Sequence, residues 1–327
     1  MINSNSSLIP IGGYFELDLP YFDVTYLRTA YRYQSARAAF CAILRSQRPK
    51  KVWVPKYICN AMLLPLKQEG IEYGWYDLDE GLNIESNLNP KENEWILYVN
   101  YFGICDRNVK RILKLFPACQ IILDYSQAYF SPPIKEVLAT VYSPRKFFGV
   151  PDGGLLFTDS SITLPDEHDE NSIGRMLHLL KRLSEEPEVG FSDYQASETS
   201  LEICSPLKMS KLTERLLMAI DYDHNRKKRN NNFLFLHEHL KDTNLFNLGN
   251  FEHQSPLCYP YLSNNTKLRE NLLSKRIFLP TYWNDAVERL DPNWGNMMVE
   301  RLLPIPIDHR YGKFEMEHIV KLIFECI

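Results

Sequence analysis

The 327-residue sequence lacks the features that mark several classes of protein. No apolar run approaches the ~18 residues that a transmembrane helix needs, so we expect no membrane span. The first fifteen residues have neither a charged start nor an apolar centre, and are not typical of a signal peptide. The formal net charge of -4 shows no basic excess, so we expect no nucleic-acid partner.

The seven cysteines form no C-x-x-C pair, and their odd number argues against a disulfide framework or a structural zinc site. His237 and His239 flank Glu238, but two histidines at this spacing point apart on a helix, so we expect no metal site. We therefore expect most cysteines to be small core residues of a cytoplasmic protein. The cysteines are Cys41, Cys59, Cys105, Cys119, Cys204, Cys258 and Cys326.

The first half of the chain alternates short apolar runs with amphipathic stretches. The apolar runs predict strands, and the amphipathic stretches at residues 60–68 and 107–116 predict helices. Such alternation indicates an α/β domain with a mostly parallel sheet. The predicted strands cover residues 52–54, 72–76, 95–101, 120–124, 139–142 and 154–158.

The second half has a different pattern. Long helical stretches at residues 171–184 and 211–240 come first, and the basic run RKKR at residues 226–229 predicts a solvated helix face. Short strands (258–262, 302–306) then alternate with short helices (266–274, 313–324). At roughly 150 residues per domain, the length indicates two domains. We expect a large α/β domain over residues 1–245 and a small C-terminal α/β domain over residues 246–327.

An acid and an amide follow one of the predicted strands. Asp124 ends the strand and Gln127 comes three residues later. Open α/β sheets bind ligands at the carboxyl ends of their strands. A carboxylate there could keep a pyridine nitrogen protonated, and the amide could face a ring oxygen. The alternative is that Asp124 only caps the next segment.

A lysine follows the next strand, in the segment YSPRKFFGVPDGG. A partly desolvated Lys146 would have a neutral amine that can form a Schiff base. Ser143 could donate its hydroxyl to a phosphate oxygen. The alternative is that Lys146 is a surface lysine. Ser143 with Lys146 also formally matches the S-x-x-K of penicillin-recognising acyl enzymes.

Small residues open a helix at residues 35–39. The first amides of such a helix, at Ala36 and Arg37, could hold a phosphate group. The alternative is that Ser35 is an ordinary N-cap. Tyr57 and Cys59 follow a strand end and could lie against a flat ring, although packing in the core would also explain both.

Together these segments resemble the DegT/DnrJ/StrS family of pyridoxal-phosphate-dependent sugar aminotransferases. The resemblance covers most of the chain and implies the three-layer fold type I of pyridoxal-phosphate-dependent transferases. It is carried by residues 34–40 (QSARAAF), 52–79, 96–106, 121–131 (IILDYSQAYFS), 142–159, 277–283 and 302–312.

The resemblance implies a role for each candidate residue. Lys146 stands where the family has the lysine that carries the cofactor. Asp124 matches the acid that pairs with the pyridine nitrogen, and Gln127 matches the amide near the ring hydroxyl. Residues 36–37 fall on the family's phosphate-binding Gly-Thr, and Ser143 matches the serine shortly before the lysine.

Several positions depart from the family pattern. The family's aromatic residue that stacks on the cofactor ring falls on Cys59, so stacking could pass to Tyr57 or be weak. Asn100 and Phe102 stand where the family has His and Tyr. The asparagine that reaches the neighbouring subunit's phosphate falls near Pro206.

The resemblance implies a cytoplasmic, homodimeric aminotransferase that uses pyridoxal 5'-phosphate. Its amino donor would be glutamate or glutamine, and its acceptor a keto-sugar, nucleotide-linked, in surface polysaccharide biosynthesis. A homologue that binds the cofactor without transaminating is the main alternative. A related dehydratase would have histidine in place of the lysine, whereas this chain keeps Lys146.

Overall fold

A seven-stranded mixed sheet organises the first part of the chain. In the computed structural model, residues 11–85, 88–202, 205–249 and 255–326 are described. The strand order is β1-β7-β6-β5-β4-β2-β3. The strands are β1 (Tyr31–Tyr33), β2 (Lys51–Pro55), β3 (Glu72–Tyr76), β4 (Glu94–Val99), β5 (Ile121–Asp124), β6 (Ala139–Tyr142) and β7 (Gly154–Phe157).

Strands β2 to β6 are parallel, whereas β7 is antiparallel to both β6 and β1. The predicted α/β fold with a mostly parallel sheet is confirmed. Every residue of β4, β5 and β6 is buried, as expected of strands covered on both faces. The parallel strands therefore end at one common edge of the sheet.

Helices and short turns connect these strands and follow them. Short 3-10 turns at Asn60–Met62, Tyr101–Gly103, Ala118–Gln120, Pro144–Lys146 and Asn284–Arg289 and a π-helical turn at Asn296–Arg301 lie between the longer elements. The α-helices are α1 (Thr25–Thr29), α2 (Ala36–Gln47), α3 (Leu64–Gln68), α4 (Asp106–Leu115), α5 (Ser172–Arg175), α6 (Leu177–Ser184), α7 (Phe191–Ser200), α8 (Lys211–Leu217), α9 (Tyr222–Leu240), α10 (Leu268–Ser274), α11 (Pro292–Gly295) and α12 (Lys313–Phe324).

Helix α2 begins and ends where its sequence favours it. The Ser35 hydroxyl accepts a hydrogen bond from the Ala38 amide at 3.1 Å, which is an N-cap. The helix ends at Arg48, whose backbone is left-handed. Its central residues 38–44 are all buried, and the helix packs against β6 and β7. The N-terminus of α2 is thereby fixed beside the start of β7.

A second core lies around the antiparallel pair β8 (Cys258–Leu262) and β9 (Leu302–Pro306). This second core also contains α10, α12 and the end of α9, through Phe233, Leu236 and Leu240. The predicted boundary at residue 245 therefore falls after three residues that pack in the second core.

Four helical predictions need correction, and the first is the predicted helix at 60–68, which is a 3-10 turn followed by α3. The predicted helix at 211–240 is two helices, because Asp221 starts a new one by accepting a hydrogen bond from the His224 amide at 2.9 Å. The predicted helix at 171–184 is likewise divided, between α5 and α6. Within the basic run, Arg226 and Lys227 are exposed, but Arg229 is buried. The run is therefore not a uniformly solvated face.

Burial of the cysteines is uneven. Cys41, Cys105 and Cys258 are buried, whereas Cys119 is exposed and Cys59 and Cys326 are half-buried. Cys204 lies outside the described residues, as does the start of the chain at residues 1–10. Among the described helices, none combines the length and apolar character that a membrane crossing requires.

Candidate active site

The candidate site lies at the edge of the sheet where the parallel strands end. Asp124 is the last residue of β5, and it pairs with Val141 near the end of the neighbouring β6. The turn that carries Lys146 follows β6 directly. Asp124 is only 5% exposed, and its Oδ1 accepts a hydrogen bond from the Ser126 amide at 2.8 Å. Lys146 is exposed.

Cys59 connects these two charged residues electrostatically. Burial raises the pKa of the Cys59 thiol, the Lys146 ammonium opposes this rise, and the Asp124 carboxylate adds to it. Each charge must lie near the thiol to act on it, since Coulomb interactions weaken with distance. Cys59 follows β2, Asp124 ends β5 and Lys146 follows β6, so the three candidate residues lie at the edge where the parallel strands end.

Gln127 faces the turn that follows β4. Its Oε1 accepts a hydrogen bond from the Phe102 amide at 2.6 Å, and Phe102 has a left-handed backbone with φ of 56°. Asn100 fixes the same turn, because its Oδ1 accepts from the Cys105 amide at 2.8 Å and its Nδ2 donates to Asp106 at 2.7 Å. With its oxygen engaged, the Gln127 side chain has its amide nitrogen left to donate elsewhere.

A tight backbone approach forms the candidate phosphate cup. The Gly153 amide donates to the Gln34 carbonyl at 2.7 Å, and a Cβ at Gly154 would lie 2.1 Å from the Ser35 carbonyl oxygen. Ala36 and Arg37 are the first two residues of α2, and both are half-buried. Amides at this position have no acceptor within their own helix, so they suit an anion.

The Ser143–Lys146 segment is a single 3-10 turn rather than the opening of a helix. The Lys146 amide donates to the Ser143 carbonyl at 3.2 Å, and Pro144 is the first residue of the turn. The amides of Phe147 and Phe148 both donate to the Pro144 carbonyl, and the chain then continues toward β7 with no further helical residue. The acyl-enzyme alternative needs a helix that begins at Ser143, and this geometry does not provide one.

Tyr57 lies inside an aromatic cluster. Its hydroxyl donates to the Met298 carbonyl at 2.8 Å, and its carbonyl accepts from the Tyr101 hydroxyl at 2.8 Å. The Tyr57 ring stacks on Tyr101 with centroids 5.4 Å apart, and lies 4.4 Å from Trp283 and 4.9 Å from Trp294. These contacts match the core-packing alternative for Tyr57.

The segment around Pro206 lies next to the phosphate cup of its own chain. The Gln34 side chain donates to the Ser205 carbonyl at 2.7 Å and accepts from the Leu207 amide at 2.7 Å. Pro206 lies between these two contacts and has no amide hydrogen of its own. Pro206, near which the family's asparagine falls, therefore lies beside the turn that leads into α2.

Two polar side chains near the site belong to residues for which the sequence predicted no functional role. Asp152 is fully buried, and its carboxylate accepts from the Ser210 hydroxyl at 2.6 Å, while burial raises the pKa of Asp152. Arg289 donates to the Lys56 carbonyl and to the Asn60 side chain, both at 2.7 Å. The DGG turn indicated Asp152, but only the fold brings Arg289 to this edge.

The arrangement combines an amine, a buried carboxylate, an amide and an anion-binding helix N-terminus at one edge of a sheet. Such a set can hold a phosphorylated heterocycle, with the anion at the helix and the ring near the carboxylate. The amine of Lys146 is accessible for covalent chemistry with a carbonyl compound.

Solved structures show which proteins share this fold. One is a DegT DnrJ EryC1 StrS aminotransferase from Brucella abortus, at 16% identity and a TM-score of 0.59, covering 92% of this chain and 87% of its own. The sugar aminotransferase CalS13 from Micromonospora echinospora has 14% identity and a TM-score of 0.61, with 91% and 87% covered. NtdA from Bacillus subtilis, with bound cofactor PMP, has 16% identity and a TM-score of 0.63, with 92% and 74% covered.

Comparison of the sequence alone gives no match. The chain matches no protein-family profile and no curated protein. The structural agreement nevertheless extends over about nine-tenths of the chain in each of these cases. The protein therefore has the fold of the DegT DnrJ EryC1 StrS sugar aminotransferases.

Proposed function

We propose that this protein is a pyridoxal-phosphate-dependent aminotransferase. It transfers an amino group from an amino acid donor, glutamate or glutamine, to a keto-sugar. The observation that carries the proposal is that Asp124, at the end of β5, and Lys146, in the turn that follows the adjacent strand β6, lie at the same edge of the sheet. A lysine and a buried acid at this edge are the two groups that pyridoxal phosphate chemistry requires.

The residues present fit the cofactor. The amides of Ala36 and Arg37 would hold the phosphate, together with the Ser143 hydroxyl. The close approach of Gly154 to Ser35 supports this, because it leaves no room for a side chain behind the cup. The chemistry of this donor set, several amides and a hydroxyl without an acidic side chain, suits an anion.

The ring would lie between the other candidates. Asp124 would pair with the pyridine nitrogen and keep it protonated, and the Gln127 amide nitrogen would donate to the ring hydroxyl. Cys59 would lie against the ring, in place of a stacking aromatic. When bound, pyridoxal phosphate supplies an electron sink for carbanions formed at the donor's α-carbon. Lys146 would bind the cofactor covalently and then move the proton that leaves this carbon.

The finer assignment rests on the resemblance and on structural neighbours. CalS13 is a sugar aminotransferase, which supports a keto-sugar acceptor here. The acceptor is nucleotide-linked and serves surface polysaccharide biosynthesis. The enzyme works in the cytoplasm as a homodimer, with a large domain at residues 1–245 and a small one at 246–327.

The proposed function is tested by the first half of the reaction. Purified protein is loaded with pyridoxal phosphate and titrated with glutamate, glutamine and alanine, while the cofactor absorbance is followed. We expect glutamate or glutamine to bleach the Lys146-dependent band and to yield the corresponding keto acid. The absence of both changes with every donor would contradict an aminotransferase.

Cys59 favours one alternative, a homologue that binds the cofactor without transaminating. A thiol offers less surface to a ring than an aromatic side chain does, so the ring would be held less firmly. The same titration separates the two functions, because a binding-only homologue forms the band without losing it to a donor. Cys59→Tyr, which restores an aromatic at this position, should then tighten cofactor binding.

A further inference from the structure

Arg229 is a charged residue buried between the candidate site and the second core. It lies on α9 at 2% exposure, although it belongs to a basic run that otherwise reaches solvent. Burial lowers the pKa of Arg229 to about 10, which still leaves the guanidinium charged near neutral pH. A buried charge is retained only where the surrounding groups compensate for lost hydration.

The acceptors of Arg229 are backbone carbonyls from two separate segments. One guanidinium nitrogen donates to the Pro256 carbonyl at 3.3 Å and to the Leu257 carbonyl at 3.2 Å. The other donates to the Phe147 carbonyl at 3.4 Å. The guanidinium also lies over the Phe147 ring, 4.6 Å from its centroid, which is a cation–π contact.

These two segments have different places in the fold. Phe147 directly follows Lys146, in the loop that leads from β6 to β7. Pro256 and Leu257 lead directly into β8, and the Leu257 amide donates to the Phe102 carbonyl at 2.8 Å. Phe102 in turn donates to Gln127. Arg229 therefore contacts both the loop that carries Lys146 (the lysine loop, residues 143–153) and the segment that is hydrogen-bonded to the Tyr101–Gly103 turn, against which Gln127 lies.

Among the described residues, no carboxylate accepts a hydrogen bond from Arg229. Asp308 is the acid whose charge acts on Arg229 most, but its carboxylate is paired with Arg310 at 2.7 and 3.0 Å. The two terminal nitrogens of Arg229 thus donate to backbone carbonyls, while its buried Nε has no hydrogen-bond partner. A planar guanidinium can hold two segments at a fixed spacing, which a single ammonium cannot.

We propose that Arg229 is a positioning residue that fixes the Lys146 loop against the entrance to β8. It holds residues 147–148 in place, and with them the direction from which Lys146 approaches the site. This role rests on the proposed function, because the position of the loop would determine how readily Lys146 reaches the carbonyl group with which it reacts. Arg229 itself does not contact the reacting atoms.

Hydrogen exchange of the cofactor-free protein tests this role. The amides of Phe147 and Phe148 both donate to the Pro144 carbonyl at 2.9 Å, so they report opening of the loop. In Arg229→Lys and Arg229→Met we expect exchange at these amides to become at least about tenfold faster, while α12 is unchanged. Arg229→Lys keeps the positive charge but replaces the planar guanidinium, with its two terminal nitrogens, by a single ammonium group.

Arg269→Lys is the matched control. Arg269 also donates to three backbone carbonyls, those of Leu279, Pro280 and Leu302, but none of them belongs to the lysine loop. Its substitution should leave exchange at residues 147–148 unchanged. Unchanged loop exchange in Arg229→Lys, or equally faster exchange throughout the chain, would overturn the proposal.

A second readout separates this inference from the proposed function. The yield of borohydride-fixed adduct on Lys146 is measured at limiting pyridoxal phosphate, and it should fall severalfold in both Arg229 variants but not in Arg269→Lys. If the parent protein forms no adduct at all, the proposed function fails. The exchange experiment needs no cofactor, and it still decides the role of Arg229.

Discussion

At the scale of single residues, Gly154 determines how closely β7 can approach the N-terminus of α2. A Cβ at this position would lie 2.1 Å from the Ser35 carbonyl oxygen and 2.5 Å from the Ala36 nitrogen. Both neighbours are backbone atoms, which cannot move aside as a flexible side chain can. The absence of a side chain at Gly154 is therefore a requirement of the candidate phosphate cup.

Gly154→Ala should consequently destabilise the protein and weaken phosphate binding. We expect a loss of about 3 kcal/mol in the free energy of unfolding, because the backbone must shift to relieve the overlap. Urea unfolding measures this loss. Titration with inorganic phosphate or pyridoxal phosphate measures the affinity of the phosphate cup for its anion.

Gly174 provides the control for that substitution. It lies in α5, and a Cβ there would have no neighbour within 4 Å. Gly174→Ala should be neutral or stabilise by up to about 1 kcal/mol, because alanine favours a helix. Equal behaviour of the two alanine variants would contradict the steric account.

Some site residues could be inferred from the sequence and others could not. Lys146 and Asp124 could be inferred because each comes at the end of an apolar run or shortly after one, and because parallel strands end at one edge of a sheet. The position of Tyr57 in an aromatic cluster depends on Trp283 and Trp294, far along the chain. Arg229 has the same local pattern as its exposed neighbours, so only the packing of α9 reveals that it is buried.

At the scale of elements, buried strands were predicted better than polar helices. The bounds of β6, β8 and β9 match the prediction, because each is a short and mostly buried run with clear ends, and the bounds of the half-exposed edge strand β3 match as well. Helix α7 (FSDYQASETS) was missed, since its apolar and polar residues show no helical spacing. Strand β1 has only three residues, which is too short for a period to be seen.

The end of α9 provides a test of the second core. Leu236 is fully buried there, together with Phe233 and Leu240. Leu236→Ala should lower the free energy of unfolding by about 2–5 kcal/mol, because it removes buried methyl groups and leaves a cavity. Chemical denaturation followed by circular dichroism measures the change.

Leu234 is the matched position on the same helix. It is 40% exposed, so Leu234→Ala should change the free energy of unfolding by only about 0.5 kcal/mol. A similar cost at the two positions would mean that α9 does not present the face that the second core requires.

At the scale of the whole molecule, two cores are joined through α9 and the lysine loop. Helices α5 and α6 leave a row of apolar side chains in solvent: Ile173, Leu177, Leu180 and Leu183, at 45–85% exposure. Apolar patches of this kind mark interaction surfaces. This row is a candidate for the contact between the two subunits of the proposed homodimer.

Sedimentation equilibrium tests that contact. We expect the parent protein to have twice the 38.3 kDa mass of one chain, and Leu180→Lys with Leu183→Lys to shift it toward the monomer. Charges buried in an apolar interface would lack partners, which is the physical reason for dissociation. Leu115→Lys, at an exposed position on α4, is the control and should remain dimeric. A parent protein that is monomeric at all concentrations would contradict the dimer.

The most direct measurement is the location of the covalent cofactor adduct. The protein is incubated with pyridoxal phosphate, reduced with borohydride, digested and analysed by mass spectrometry, beside Lys146→Ala and the exposed-lysine control Lys135→Ala. The account predicts one stoichiometric adduct on Lys146 in the parent and in Lys135→Ala, and its loss in Lys146→Ala. An adduct spread over surface lysines, or unchanged in Lys146→Ala, would contradict the assignment of this site.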